Sequence, residues 1–403
     1  MRRAAWLSVL LTAGCSAPAV PVPALSPSDV ADTGNVVADT GNWVGTWGTA
    51  VEGGGRSFAN HTLRQIVHTS VGGRTARIRL TNEFGTRPLT IGAVRLARPV
   101  DRGVIDPATD LAVTFGGQTA VTIPVGETAV SDEVSFDVPA GGDVAITTWL
   151  PGDTGASTRH GNALQDNYVA AGGQESAAEM SRARTENSWY FLSGLDVRGG
   201  TGTVVAFGAS ITDGLGTTFG ANERWPDLLA ARLRDAGQQI GVVNTGISGN
   251  RFTADTRGES GVKRFERDVL RRTGVRWVIV SDDALNDLGA ADPPPASALT
   301  GTLRQLVDRA HQAGVRVICS TLTPYRGAGY WSPAGEAGRT EINTFIRSGG
   351  SGCDHVLDQD LATRDPADPA RFRPEFDSGD HLHPSAAGLQ AIAGAADLSW
   401  FTA

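Results

Sequence analysis

Between Val197 and Thr203 the hydrophobic pattern of the chain changes period, and Gly199, Gly200 and Gly202 mark the change. Before it, short segments alternate apolar and polar residues, as in Arg77-Ile78-Arg79-Leu80, which is the period of a half-buried strand. Beyond it, apolar runs of strand length alternate with stretches of helical period. A chain patterned this way divides into an all-β part and an α/β part. The three glycines read as a hinge between them.

In the first part, residues 42–198, strands are expected at Leu63–Val71, Thr75–Asn82, Leu111–Gly116, Val134–Val138, Asp143–Leu150 and Ser188–Val197. Short strands punctuated by Gly, Pro and Asp turns predict a β-sandwich; the polar stretch Gln174–Glu186 reads as a loop. In the second part, residues 199–403, strand-like runs at Thr203–Gly208, Ile240–Val243, Arg276–Ser281, Val315–Leu322 and His355–Asp358 alternate with helical patterns. Those patterns cover Pro226–Ala236, Val262–Arg272, Ala296–Ala313, Glu336–Ser348 and Ser385–Phe401. Strict alternation implies a parallel sheet covered on both faces, a three-layer α/β/α domain. Ligands of such sheets sit beyond the carboxyl ends of the strands.

The amino terminus reads as a targeting segment. Arg2 and Arg3 precede an apolar core, Ala4–Ala13, and a small-residue processing site, so residues 1–19 form a signal peptide too short to span a bilayer. Cleavage falls either before Cys15, which would then carry a lipid anchor, or after Ala17-Pro18-Ala19. Both readings place the mature protein outside the cytoplasm, either free or as a cell-surface lipoprotein. Residues 20–41, with Val-Ala-Asp-Thr-Gly-Asn nearly duplicated, read as a flexible linker. Export makes Cys319 and Cys353 a candidate disulfide, two free thiols being the alternative. With three cysteines in all there is no cysteine-based metal site. A net charge of -8 without any run of Lys or Arg argues against a nucleic-acid partner.

The chemistry is expected around Ser210. Val204–Phe207 reads as a buried strand that delivers Ser210 onto a turn, where a rigid backbone exposes the hydroxyl and neighbouring N–H groups. Three other segments follow strand ends in the same domain: Asn244–Arg251, whose glycines let the backbone approach a ligand; Ala284–Gly289, where Asn286 offers an amide donor; and Asp377–Gly388. In the last, Asp380 stands three residues before His383. A carboxylate there can accept from one imidazole nitrogen while the other faces a nucleophile.

With Phe207-Gly-Ala-Ser-Ile-Thr-Asp-Gly214, Asn244-Thr-Gly-Ile-Ser-Gly-Asn250, Ala284-Leu-Asn-Asp287 and Asp380-His-Leu-His-Pro384 in this order, the chain resembles the SGNH, or GDSL-type, hydrolase superfamily. Trp43–Ala50, Thr62–Gly73 and Arg77–Gly85 resemble the amino-terminal sandwich of its secreted two-domain members. The resemblance implies a flavodoxin-like fold and a serine esterase with no metal or other cofactor. It also implies Ser210 as nucleophile, His383 as base and Asp380 as its orienting group. The oxyanion would be held by the Ser210 and Gly249 N–H groups and the Asn286 amide. Short acyl or acetyl esters, carried by an acylated glycan or a lipid, are the expected substrates. A carbohydrate-binding surface protein with an impaired site, and a lipase or acyltransferase of the same superfamily, are the alternatives.

Two positions depart from the superfamily pattern: Ala209 stands where an Asp is usual, and Ala284 where a Gly is usual. The expected consequences are a looser nucleophile turn and, if φ at Ala284 is positive, backbone strain. Restoring Asp at 209 and Gly at 284 is therefore expected to raise turnover. Asp282 and Asp283, just before the segment Ala284–Gly289, read as a solvated loop, the alternative being that one of them replaces the missing carboxylate. His381 is the rival base. His68, His160 and His311 read as ordinary polar or packing residues, and Ser248 and Ser320 follow strands without a base. Trp43, Trp47 and Trp189 read as core rather than as a sugar-stacking surface. Asp213, Asn222 and Arg251 are candidate pocket residues.

Overall fold

The computed structural model describes residues 42–402; the signal-peptide, Cys15 and linker expectations lie outside the described residues. The described residues form one compact unit. Within it the change of pattern at residue 199 is a change of architecture. Up to Arg198 the sheets are antiparallel: a four-stranded sheet led by Trp43–Gly48 and Leu192–Arg198, and a six-stranded sheet centred on His61–His68 and Asp143–Leu150. They enclose a core of Leu63, Val67, Ile78, Leu80, Leu96, Val144, Ile146 and Leu195, the inward members of alternating strands. Trp43, Trp47 and Trp189 are buried in this part of the molecule, and Trp47 and Trp189 meet edge to face at 4.9 Å.

Two expectations fail here. Val134–Val138 forms no strand of its own; Val134 and Val138 make only isolated bridges, to Ala76 and Gly73. The end of the expected loop, Arg184–Glu186, pairs as an edge strand with Asn167–Val169. Polar side chains are tolerated on such an edge because one face stays in water.

The second part has five parallel strands: β1 (Gly202–Phe207), β2 (Ile240–Asn244), β3 (Val275–Val280), β4 (Arg316–Ser320) and β5 (His355–Leu357), in the order β2-β1-β3-β4-β5. The interior strand β1 is buried along its whole length, as a strand with helices on both faces must be. The principal helices are α1 (Ser210–Asp213), α2 (Trp225–Asp235), α3 (Gly261–Phe265), α4 (Asp283–Leu288), α5 (Ala296–Gln312), α6 (Pro333–Arg347), α7 (Gln359–Thr363) and α8 (Ala386–Gly394). Pro226 sits in the first turn of α2, and Leu229, Ala230 and Leu233 bury its inner stripe.

Two helices are shorter than their apolar pattern predicts. After Phe265 the chain widens into a π-turn over Glu266–Leu270, where the fully buried Asp268 draws in Arg264, Arg267 and Arg272 at 3.5, 3.0 and 3.3 Å. α8 stops at Gly394, and the Asp397 side chain caps a separate 3₁₀ turn by accepting the Ser399 N–H at 2.9 Å. Cys319 on β4 and Cys353 before β5 form a disulfide with Cα atoms 5.9 Å apart.

The expected hinge is a close-packed seam. Strand Trp43–Gly48 lies against β2, and the Gly45 N–H reaches both Thr203 Oγ1 (2.9 Å) and the Thr273 carbonyl (3.2 Å). A Cβ on Gly241 would stand 2.0 Å from the Gly45 carbonyl oxygen, and one on Gly200 2.4 Å from Val44. The glycines serve close approach of backbones here. His160 is also at this junction, buried against Trp189 and Asp213 rather than isolated in the sandwich.

Candidate active site

β1 ends at Phe207, and α1 begins at Ser210, so the hydroxyl stands at the carboxyl edge of the sheet beside the ends of β2 and β3. Ser210 is 7% exposed. His383, on the loop before α8, brings Nε2 to 2.9 Å from Ser210 Oγ and Nδ1 to 2.6 Å from Asp380 Oδ2. A carboxylate only accepts, so Nδ1 carries the proton and the Nε2 lone pair faces the serine hydroxyl. The Asp380 Oδ1 atom accepts from the N–H groups of Leu382 (2.9 Å) and His383 (2.8 Å) and from Ser378 Oγ (3.1 Å). Burial would raise the Asp380 carboxyl, but the imidazole and these N–H groups reverse that and hold it well below the usual carboxylate range. Asp380 therefore stays ionised and keeps the ring oriented.

His381 has its own partner, Asp377, at 2.5 Å, and adopts a left-handed φ of 64°. Its ring is thereby separated from the Ser210 relay. Ser320 accepts from Gln359 in the interior (3.2 Å), with no imidazole on it. His68 pairs with Asp143 at 2.7 Å and His311 with Asp354 at 2.9 Å, far along the chain from this site.

The three donors expected for an oxyanion sit on three elements. Gly249 occupies the third position of a turn closed by the Asn250 N–H on the Ile247 carbonyl (2.9 Å), with φ at 79°, a conformation that suits glycine. Among the described residues, neither the Ser210 N–H nor the Gly249 N–H meets an acceptor. Asn286 on α4 donates one amide proton to the Asn250 carbonyl (2.8 Å), and its oxygen accepts the Tyr330 hydroxyl at 3.2 Å. Tyr330 thus fixes which way the amide faces. Nothing in the sequence around Tyr330 signals this part.

The two departures at 209 and 284 read differently once folded. Asp282 is 2% exposed and not a solvated loop residue. Its Oδ1 accepts the Ala209 N–H (3.0 Å) and Thr212 Oγ1 (2.6 Å), and its Oδ2 the Ile211 N–H (2.9 Å). A carboxylate from the end of β3 therefore ties down the Ser210 turn. Asp283 is buried too, and receives Arg264 at 3.0 Å. Ala284 lies in α4, outside the residues of positive φ, so the expected strain is absent. Of the candidate pocket residues, Asp213 is enclosed at the domain junction and bonds Ser248; Asn222 and Asp213 line a small cavity there with Arg224.

Residues 206–391 match the GDSL-like Lipase/Acylhydrolase family. No protein with a curated description matches the chain. Among solved structures it is similar to a carbohydrate acetylesterase from Sinorhizobium meliloti (15% identity, TM-score 0.40, 48% of this chain and 95% of that one). It is also similar to the aryl esterase of M. smegmatis (16%, 0.40, 48% and 95%) and to a lipase/acylhydrolase from Enterococcus faecalis (18%, 0.36, 48% and 92%).

Proposed function

Residues 206–391 form a domain of the GDSL-like lipase/acylhydrolase family, and from that premise we propose that the protein is an exported serine esterase acting through an acyl-enzyme on Ser210. The observation that carries the reading is the 2.9 Å contact between Ser210 Oγ and His383 Nε2, with Asp380 behind the ring.

In this mechanism Ser210 attacks the ester carbonyl while His383 takes its proton. The oxygen that becomes negative faces the Ser210 and Gly249 N–H groups and the second amide proton of Asn286. Donors placed before charge develops favour the transition state over the bound ester. His383 then protonates the leaving alcohol; in a second cycle His383 takes a proton from water, which attacks the acyl carbon, and the bond to Ser210 Oγ breaks, releasing the carboxylic acid and returning the proton to Ser210. Short acyl groups, acetyl above all, are the proposed class, because the nucleophile is nearly enclosed. Export rests on the segment Arg2–Ala19 and is tested by sequencing the amino terminus of the mature protein.

Fluorophosphonate labelling of the full-length protein tests the reading, alongside hydrolysis of p-nitrophenyl acetate and octanoate. Label and acetate turnover in the wild type, both lost in Ser210→Ala, are expected. Labelling that survives Ser210→Ala would sink the assignment.

A further inference from the structure

The side chain of His160 carries the β-sandwich to the helix that begins at Ser210. His160 ends the strand Ser157–His160, is 4% exposed, and places Nδ1 3.0 Å from the Ala50 carbonyl and Nε2 3.0 Å from Asp213 Oδ1. Both partners only accept, so both ring nitrogens carry protons and the ring is an imidazolium. The tilted face of Trp189, 5.6 Å away, sets its plane.

Asp213 closes α1, three residues after the nucleophile. Its other oxygen accepts the Ser248 N–H at 3.0 Å and the Ser248 hydroxyl at 2.5 Å. Ser248 is thus gripped by main chain and side chain together, and the peptide that follows it carries the Gly249 N–H. A carboxylate as deeply buried as Asp213 requires a positive partner. Arg224 lies close but directs Nε to the Asp213 carbonyl (2.9 Å), one terminal nitrogen to the Ala163 carbonyl and the other to Asp227 Oδ2 (3.4 Å). The counter-charge in direct contact with the carboxylate is His160.

We propose that His160 is a positioning residue for the oxyanion hole: from the sandwich it holds Asp213, Asp213 clamps Ser248, and the clamp aims the Gly249 N–H at the ester oxygen. This rests on the esterase reading. It gives the sandwich a part in catalysis, since the relay of Ser210, His383 and Asp380 lies wholly within the α/β part while one support of its anion site does not. A His160 that merely joined the two parts would affect stability and leave the rate per folded molecule alone.

The test uses the full-length protein and p-nitrophenyl acetate, with a phenylboronic acid as a tetrahedral-anion probe. His160→Leu removes both donors; His160→Gln keeps a neutral donor toward Asp213. The expected result for His160→Leu is a fall in kcat of about 10- to 100-fold with KM within about twofold, and a matching loss of boronate affinity. His160→Gln recovers part of both. Should His160→Leu not fold, His160→Gln and Ser248→Ala decide: each is expected to lower kcat by about 3- to 10-fold. Unchanged kcat and boronate affinity in the folded variants, whatever happens to Tm, overturns the proposal while leaving the esterase reading intact. A wild type without Ser210-dependent turnover overturns both.

Discussion

Asp282 accepts the N–H of Ala209 at 3.0 Å, so the residue before Ser210 is held by a carboxylate from the end of another strand. Ala209 is fully buried, and an Asp there would add a second carboxylate without a counter-ion. Ala209→Asp is therefore expected to lower stability by on the order of 3 kcal/mol and to reduce turnover, the reverse of the gain the family pattern suggests. Ala284→Gly, within α4, should cost about 0.5–1 kcal/mol without raising turnover. Denaturant unfolding and steady-state kinetics of the two single variants check both. A rise in kcat for Ala209→Asp would show that Asp282 does not complete the turn, and one for Ala284→Gly that the helical residue at 284 does hinder the site.

Asn286→Ala removes one of the three proposed oxyanion donors, and kcat should fall about 10²- to 10³-fold with KM little changed. Tyr330→Phe deletes only the bond that orients the amide, and a smaller loss of about 3- to 10-fold is expected. Equal losses in the two variants would mean that Tyr330 contributes something beyond the Asn286 amide.

Burial pushes the Asp283 carboxyl up to about 7; Arg264 pulls the other way, while the neighbouring carboxylates Asp282 and Asp287 add to the rise. The ordinary carboxyl titrates near pH 4, so between about pH 4 and 7 the folded chain holds a proton that the unfolded chain has released. Stability from this group is therefore lost as pH rises through that window. Asp283→Asn should be more stable than the wild type by an amount that grows from pH 5 to 8, with turnover at pH 7 within about twofold. Urea midpoints at four pH values check this; a constant difference would contradict it.

The Cys319–Cys353 bridge closes a loop across a sequence separation of 34. Cys353→Ala is expected to reduce stability by about 3 to 4 kcal/mol, and to leave KM and kcat alone because β5 lies at the sheet edge away from Ser210. Unfolding of the variant under non-reducing conditions, beside its kinetics, provides the measurement.

The five parallel strands were legible to within about two residues, because β1 to β4 are nearly continuous apolar runs bounded by Gly, Asp or Ser. The Asp380–His383 pair was legible for a different reason: three residues of separation put the two groups in reach of each other within one loop. Asp282 was not. Its partners lie 70 to 73 residues away, and only the order β2-β1-β3 brings the end of β3 beside the start of α1. The one available signal was a pair of adjacent acids directly after the apolar run Val278–Val280, where burial is the expected fate of the chain. His160 and Tyr330 share that difficulty, since their meaning depends on a partner in a different layer.

The seam between Gly45 and Thr203 joins positions 158 residues apart. The strand Trp43–Gly48 is synthesised early, yet one of its faces has nothing to rest on until β1 and β2 have formed. Contacts of such separation slow folding, and they oppose the usual order in which an amino-terminal domain matures before the next is made. The nascent sandwich is therefore expected to wait with that strand's inner face uncovered, and the two halves of the polypeptide to unfold in one transition.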